Sequence, residues 1–169
     1  MEIDVLTEDD AWLAVPEREA LARRAARAVF GVLERPEPPS ELSIVFTGDA
    51  AVAELNRQWR GKAGPTNVLS FPAAGGAGAG AGTLGDIVLA AGVVAAEAEA
   101  QGKPLANHTA HLMIHGLLHL LGYDHADDAT ADAMERLEIR AMARLGLPDP
   151  YEDATAPGRA VRPELLDER

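Results

Sequence analysis

The sequence predicts an α+β domain in which a small mixed β-sheet of three to four strands packs against about five helices. Short apolar segments of strand length and longer segments with helical periodicity follow one another without strict alternation, which favours this fold class. The chain of 169 residues is long enough to bury one core. We expect a single domain at residues 1–150 and a loose tail at 151–169, because the tail is polar and contains prolines and a glycine.

The N-terminal part of the chain supplies two predicted strands and two predicted helices. Residues 1–6 alternate between apolar and polar side chains, which is typical of a short edge strand. Pro16, followed by acidic residues, begins an amphipathic helix that runs to about Leu33. Residues 42–47 form an apolar strand segment, and Asp49 after it is placed to cap a helix running to about Trp59.

The remaining strands flank a Gly/Ala-rich tract, and the remaining helices follow them. Residues 67–71 predict a strand, residues 73–82 a mobile loop, and residues 84–89 a further strand. Asp86 interrupts that last apolar strand, so we expect it to have a partner, with Arg60 or a backbone turn as candidates. Helices are predicted at about 93–101, at 108–121, and from Asp127 or Asp128 to about 145.

Composition excludes several classes of function. The chain has no cysteine, so disulfides, thiolate catalysis and cysteine-ligated metals are ruled out. It begins without the pattern of a signal peptide, and no apolar run is long enough to span a bilayer, so we expect a cytoplasmic protein. The net charge of −12 argues against broad electrostatic binding to nucleic acid. A local basic cluster of Arg57, Arg60 and Lys62 can still engage phosphates.

The histidine pattern gives the clearest functional signal in the chain. All five histidines lie between residues 108 and 125. His115 and His119 are one helical turn apart, and Gly122 offers the left-handed conformation that ends a helix and turns the chain back. His125 can then approach the other two. Three neutral imidazoles with a fourth position left open are typical of a catalytic zinc site, which activates water.

The spacing of these residues matches the long zinc motif of metzincin peptidases, with one departure. Those enzymes carry a glutamate as general base directly after the first histidine, whereas this chain has Gly116. Peptide hydrolysis by that route therefore lacks its essential group. Cleavage of a phosphodiester chiefly needs charge stabilisation and an aligned nucleophile, which a metal and a nearby arginine can supply.

The chain resembles the YbeY family of metal-dependent hydrolases, described as single-strand endoribonucleases and ribosomal RNA maturation factors. The resemblance covers about Leu42 to Pro150, and its most specific part is the histidine segment. It implies an α+β fold with a mixed sheet, His115, His119 and His125 as ligands of one zinc ion (another divalent transition metal is possible), and Arg60 as a functional arginine. The segments that carry the resemblance are 55–61, 65–72, 84–87 and 111–125.

The same resemblance implies a cellular role and a set of partners. It implies cleavage of single-stranded RNA during maturation of the 3′ end of small-subunit ribosomal RNA, and a part in ribosome quality control. The partners would be ribosomal RNA, the small ribosomal subunit and assembly factors, with neither a membrane nor DNA expected. Two other hypotheses stay open: a metallopeptidase-like hydrolase, and a non-catalytic zinc-binding ribosome-assembly factor.

Single residues receive the following interpretations. Arg60 is expected to be catalytic and to bind substrate phosphate, with Arg57 as a peripheral substrate contact. His111 lies one turn before His115, and supporting, substrate-facing and packed roles remain open for it, although we include it among the substrate-binding candidates. Asp124 orients an imidazole, holds a water or caps the turn after Gly122, and the turn-capping role is favoured.

Overall fold

A computed structural model describes residues 1–73 and 82–152 of the chain. In this part, five α-helices and a short 3-10 helix surround one four-stranded sheet, so the predicted α+β class is confirmed. The strands are β1 (Glu2–Thr7), β2 (Ser40–Thr47), β3 (Val68–Pro72) and β4 (Gly82–Ala90). The helices are the 3-10 helix (Asp10–Ala14), α1 (Arg18–Leu33), α2 (Asp49–Arg60), α3 (Ala91–Ala100), α4 (Leu105–Leu120) and α5 (Asp128–Arg144).

The sheet is mixed, with the strand order β1-β2-β4-β3. β1 pairs parallel with β2, and β2 pairs parallel with β4. β3 pairs antiparallel with β4 and forms one edge, while β1 forms the other edge, as its sequence predicted. The long connections through α1 and α2 are what parallel pairing requires.

The two faces of the sheet are covered differently. One face carries Leu42, Ile44 and Ile87 into the main core with α1 and α4. The opposite face packs a smaller cluster, in which Val52 of α2 contacts Leu69 and Val88. The helices thus leave part of the second face open, and Asp86 lies there.

Two sequence-based interpretations of aspartates require correction. Asp86 is exposed on the open face and has no hydrogen bond or ion pair with the described residues. The expectation of a partner was therefore wrong. An exposed carboxylate needs none, because water can solvate it. Asp49 does not cap α2, whose N-cap is Gly48. Its carboxylate accepts hydrogen bonds from the backbone N–H groups of Gly92 (2.8 Å) and Val93 (3.1 Å), and so caps α3 instead.

Close packing at Gly116 sets the position of α4 on the sheet. The Ser70 hydroxyl donates a hydrogen bond to the Gly116 carbonyl oxygen at 3.1 Å. A Cβ atom at Gly116 would lie 3.0 Å from Cγ2 of Ile87 and 3.1 Å from Oγ of Ser70. Glycine therefore lets this side of α4 approach β3 and β4, and the face that carries His115 turns toward α5.

Two predicted segments fall largely outside the described residues. The predicted mobile loop at 73–82 falls mostly on residues 74–81, and the predicted tail mostly on residues 153–169. Tyr151, the first residue of that predicted tail, has an exposed fraction of only 3% and packs with the domain. Within residues 1–73 and 82–152, no helix combines the length and the apolar character needed to span a bilayer.

Candidate metal centre

The end of α4 places the first two predicted ligands and turns the chain toward the third. Gly122 adopts a positive φ of 103°. Its N–H donates to the His119 carbonyl oxygen at 3.0 Å, and the N–H of Tyr123 donates to that of Leu118, also at 3.0 Å. This pair of hydrogen bonds is the Schellman motif, which the sequence anticipated from the glycine after a helical segment.

The turn after α4 brings His125 back toward the helix. The carboxylate of Asp124 accepts a hydrogen bond from the backbone N–H of Ala126 at 3.2 Å, which is the turn-capping role favoured from the sequence. The ring centroids of His115 and His119 lie 4.7 Å apart, and that of His125 lies 5.8 Å and 5.1 Å from them. One ring nitrogen from each histidine lies within 4.8 Å of the other two.

These three side chains fit a zinc-like ion. A tetrahedral zinc ion with bonds of about 2.0–2.1 Å holds ligand nitrogens about 3.3 Å apart, so small side-chain adjustments suffice to close the site. Ligation needs neutral imidazoles. Burial, together with the neighbouring rings of His115 and His125, lowers the pKa of His119 to about 3, so this ring is neutral at pH 7.

A buried carboxylate of α5 stands directly behind the histidines. Glu138 is 1% exposed, and its Oε2 atom lies 2.7 Å from Nδ1 of His115. Its Oε1 atom lies 2.6 Å from Nε2 of His111 and also accepts a hydrogen bond from the Tyr151 hydroxyl. Burial by itself raises the pKa of Glu138, but interactions with His115 and His111 outweigh it, so the net pKa is lowered and the group is a carboxylate.

His111 is part of this buried network. It is 1% exposed, and the Tyr151 ring packs edge-on against it with centroids 5.2 Å apart. Burial lowers the pKa of His111 despite the nearby Glu138. Of the three roles left open by the sequence, this position favours support of a neighbouring ligand over contact with substrate.

A second histidine–glutamate pair lies two turns earlier on α4. Nε2 of His108 lies 2.9 Å from Oε1 of Glu97, which also accepts a hydrogen bond from the Asn67 side chain at 3.0 Å. Glu97 retains 26% side-chain exposure, and none of these groups belongs to the cluster of three ligand nitrogens. This pair ties α3 to α4 and to the start of β3.

The predicted basic residues lie at the C-terminal end of α2. Arg57 forms an exposed ion pair with Glu54, one turn earlier, so the basic cluster is less free of acids than its sequence suggested. Arg60 is half-buried, and its Nε atom is shielded from solvent without a hydrogen-bond partner among residues 1–73 and 82–152. The rest of its guanidinium group also makes no hydrogen bond or ion pair with the described residues.

An exposed tryptophan adjoins Arg60. Trp59 has an exposed fraction of 69%, the largest among the exposed apolar side chains of the described residues. It borders a groove of about 620 Å³ on the open face of the sheet, together with the apolar side chains of Leu55 and Phe71 and the carboxylate of Asp86. The groove thus combines an aromatic wall with a polar group.

Comparison with known proteins agrees with this geometry. A family model described as endoribonuclease YbeY matches residues 6–146. The chain belongs to the endoribonuclease YbeY family. The match includes all three candidate ligands, Arg60 and Glu138, whereas Tyr151 lies beyond its last residue.

Individual relatives extend over nearly the whole chain. An endoribonuclease YbeY from Azorhizobium caulinodans is 51% identical over 154 residues, which cover 89% of this chain and 96% of the relative. Another, from Paramagnetospirillum magneticum, is 50% identical over 150 residues, covering 83% and 90% respectively. The solution structure of a Thermotoga maritima protein matches with a TM-score of 0.56 at 20% identity, covering 85% of this chain and 91% of that one, and supports the fold alone.

Sequence reasoning missed Glu138 and Tyr151 as members of this family's candidate site. Glu138 lies four residues after Met134 and four before Met142, so helical periodicity places it on the apolar face of α5. A carboxylate at such a position requires buried hydrogen-bond donors, and histidines are suitable ones. A glutamate on the apolar face of a predicted helix was therefore the sequence feature that could have identified Glu138.

Proposed function

We propose that this protein is a zinc-dependent endoribonuclease that cleaves single-stranded RNA, with ribosomal RNA as its substrate. The observation that carries the proposal is the cluster of His115, His119 and His125, whose ligand nitrogens lie within 4.8 Å of one another in a member of the endoribonuclease YbeY family. A bound zinc ion with an open coordination position supplies Lewis acidity and activates water at neutral pH. The three imidazoles hold that ion.

Arg60 acts on the substrate phosphate in this proposal. A guanidinium group binds phosphate oxygens through paired, charge-assisted hydrogen bonds and stabilises the charge that develops during cleavage. This role is supported by the guanidinium group of Arg60, which makes no hydrogen bond or ion pair with the described residues. Arg57 contributes at most a peripheral contact, because Glu54 competes with the phosphate for its guanidinium group. We assign His111 to the support of His115, through Glu138, rather than to the substrate.

Trp59 supports a preference for unpaired RNA. Sequence-tolerant recognition of single strands commonly uses bases stacked on aromatic side chains, with cationic groups on the backbone. The exposed ring of Trp59 is followed directly by Arg60 and, after Gly61, by Lys62, so an aromatic surface and two cations lie together. We propose that an unpaired base enters the groove beside Trp59 while its phosphates contact the cations. A base paired in a duplex is not available for this contact.

The position of Gly116 gives no support to the peptidase alternative. A Cβ atom on the residue after the first ligand would lie 3.0–3.3 Å from Ser70 and Ile87 of the sheet, so a glutamate side chain would require these neighbours to shift. The general base of the metzincin mechanism therefore has no counterpart at this position.

The proposed setting is the maturation of the small ribosomal subunit in the cytoplasm. There the protein would trim the 3′ end of small-subunit ribosomal RNA and take part in ribosome quality control, together with assembly factors and without a membrane or DNA. A non-catalytic zinc-binding assembly factor would bind the same particle without cutting RNA. Cleavage assays separate the two.

The experiment compares three proteins on matched RNAs. Wild type, His115→Ala and Arg60→Ala are purified from a host lacking its own family member and incubated with one RNA sequence as a single strand and as a duplex. We expect wild type alone to cleave, and only the single strand. Equal cleavage by all three would refute the proposed site. The non-catalytic factor would be favoured if the purified wild-type protein cleaved no RNA and yet restored the correct 3′ end of ribosomal RNA when expressed in the deletion host.

A further inference from the structure

The carboxylate of Glu138 accepts three hydrogen bonds inside the protein. His115 and His111 donate from α4, and the Tyr151 hydroxyl donates from the segment after α5. An unpaired carboxylate that is 1% exposed would strongly destabilise the fold. Three donors on its two oxygen atoms offset that cost. The arrangement is therefore a closed network that joins α4, α5 and the following segment.

This network determines which nitrogen of His115 carries the proton. An ionised carboxylate can only accept hydrogen bonds, so Nδ1 of His115, 2.7 Å from Glu138, must carry the hydrogen. The lone pair of the neutral ring then resides on Nε2, where a metal can bind. The same reasoning places a hydrogen on Nε2 of His111.

We propose that Glu138 is a positioning residue for the metal centre, and that Tyr151 and His111 in turn hold Glu138 in place. Glu138 fixes the tautomer and the ring orientation of His115 and strengthens its Nε2 as a ligand. A carboxylate behind a ligating imidazole commonly has this effect on metal affinity. The inference rests on the metal site of the proposed function but does not depend on RNA cleavage.

The chain supplies a matched control in Glu97. Glu97 lies on α3, and its contact with His108 of α4 also joins a glutamate to a histidine of that helix, at a similar distance of 2.9 Å. It lies outside the cluster of candidate ligands. A loss of zinc affinity that follows from general loosening of α4 would appear in a Glu97 variant as well as in a Glu138 variant.

The first test measures the dissociation constant for zinc by competition with a chelator. We expect Glu138→Gln to bind about 10–100-fold more weakly than wild type, the range typical for loss of such a partner. We expect Tyr151→Phe to weaken binding less, because it keeps the ring and removes one donor. Glu97→Gln should match wild type, and His119→Ala defines the loss of a ligand.

The second test reads the tautomer without any metal. Two-dimensional ¹⁵N–¹H spectra of the imidazole rings in metal-free protein should show His115 protonated at Nδ1 in wild type and a mixture of tautomers in Glu138→Gln. A merely structural role for Glu138 would lower thermal stability without changing the tautomer. If Glu138→Gln does not fold, Tyr151→Phe decides the matter by the same two measurements.

The outcomes separate this inference from the proposed function. Equal zinc affinity and an unchanged His115 tautomer in Glu138→Gln would overturn the inference and leave the metal site intact. An equal loss in Glu97→Gln would overturn it as well. If the wild-type protein binds no zinc, or binds it no better than His119→Ala, both the inference and the assignment of the three histidines as metal ligands are wrong.

Discussion

The candidate metal centre on α4 and the basic end of α2 are built in opposite ways. His115 is fully buried, and its Nδ1 atom contacts the carboxylate of Glu138, which accepts hydrogen bonds from two other side chains as well. Trp59 is largely exposed, and Arg60 beside it has an Nε atom that makes no hydrogen bond within the described part of the chain. The side chains of the first region are buried and hydrogen-bonded to one another, whereas the second region has an exposed aromatic ring and a guanidinium group without a hydrogen bond to the described residues.

This difference agrees with what each region would bind in the proposed function. A metal ion tolerates little error in ligand position, so its imidazoles need fixed tautomers and packed surroundings. A flexible RNA strand can adjust to the protein, so exposed stacking and cationic groups suffice. Variants in the two regions should therefore fail in different ways, and the predictions below test that separation in order of decreasing effect.

The largest effect is expected for His115→Ala. The substitution removes a ligand and leaves Glu138 without one of its donors. Loss of a residue that only supports a ligand lowers metal affinity by up to about 100-fold. We therefore expect the zinc affinity and the rate of RNA cleavage each to fall by a larger factor. Zinc content of the purified protein and single-turnover cleavage measure the two losses. A variant that keeps its zinc yet loses cleavage would contradict the assignment of His115 as a ligand.

Arg60→Ala should lose activity while keeping its metal. Removal of a group that stabilises charge in the transition state typically lowers kcat by about 10²–10³. Zinc affinity should equal that of wild type, because Arg60 is not part of the ligand cluster. Arg60→Lys keeps the charge without the planar fork and should recover only part of the rate. A change confined to KM would show that Arg60 binds RNA without assisting the reaction.

Trp59→Ala should weaken RNA binding with little effect on chemistry. Loss of one stacked base costs about 1–3 kcal/mol, which corresponds to a rise in Kd of about 5–150-fold. Trp59→Phe keeps an aromatic surface and serves as the control. Fluorescence anisotropy with a labelled single strand measures the binding. Unchanged affinity, together with a dimer-to-monomer shift in the alanine variant, would indicate that a second copy of the chain occupies the groove.

The smallest effect concerns the start of α5, which carries Glu138. Hydrogen bonds from the backbone and side chain of Thr130 lower the pKa of Asp127, so its capping contribution is present above the carboxyl pKa of the unfolded chain. That contribution is lost as pH falls through the lower folded pKa. Asp127→Ala should therefore be less stable than wild type at pH 7, and the difference should shrink in strong acid. Thermal unfolding at both pH values measures it.

The sequence predicted the parts of the site that depend on local geometry. The spacing of His115 and His119 and the glycine at 122 act through helical periodicity and backbone conformation, which neighbouring residues determine. The Schellman motif and the return of His125 followed from them. The same local reasoning located each strand and each α-helix within a few residues but did not predict the 3-10 helix at Asp10–Ala14.

Contacts between distant segments were beyond that reasoning. Glu138 meets His115 across 23 residues, and Asp49 reaches Val93 across 44, so neither partner could be chosen from spacing alone. The strand order placed Asp86 on an open face, whereas the apolar run around it suggested burial. Sheet topology and helix packing determine these contacts. Both depend on the complete fold, so local sequence patterns do not predict them.

The link from Tyr151 to Glu138 also has a consequence for biosynthesis. Ribosomes make the chain from its N-terminus, so the ligand-bearing helix emerges well before residue 151. Until Tyr151 has emerged, the carboxylate behind His115 lacks one of its donors. The buried carboxylate of Glu138 would therefore have its complete set of donors only after the whole of α5 and the segment that follows it have been synthesised.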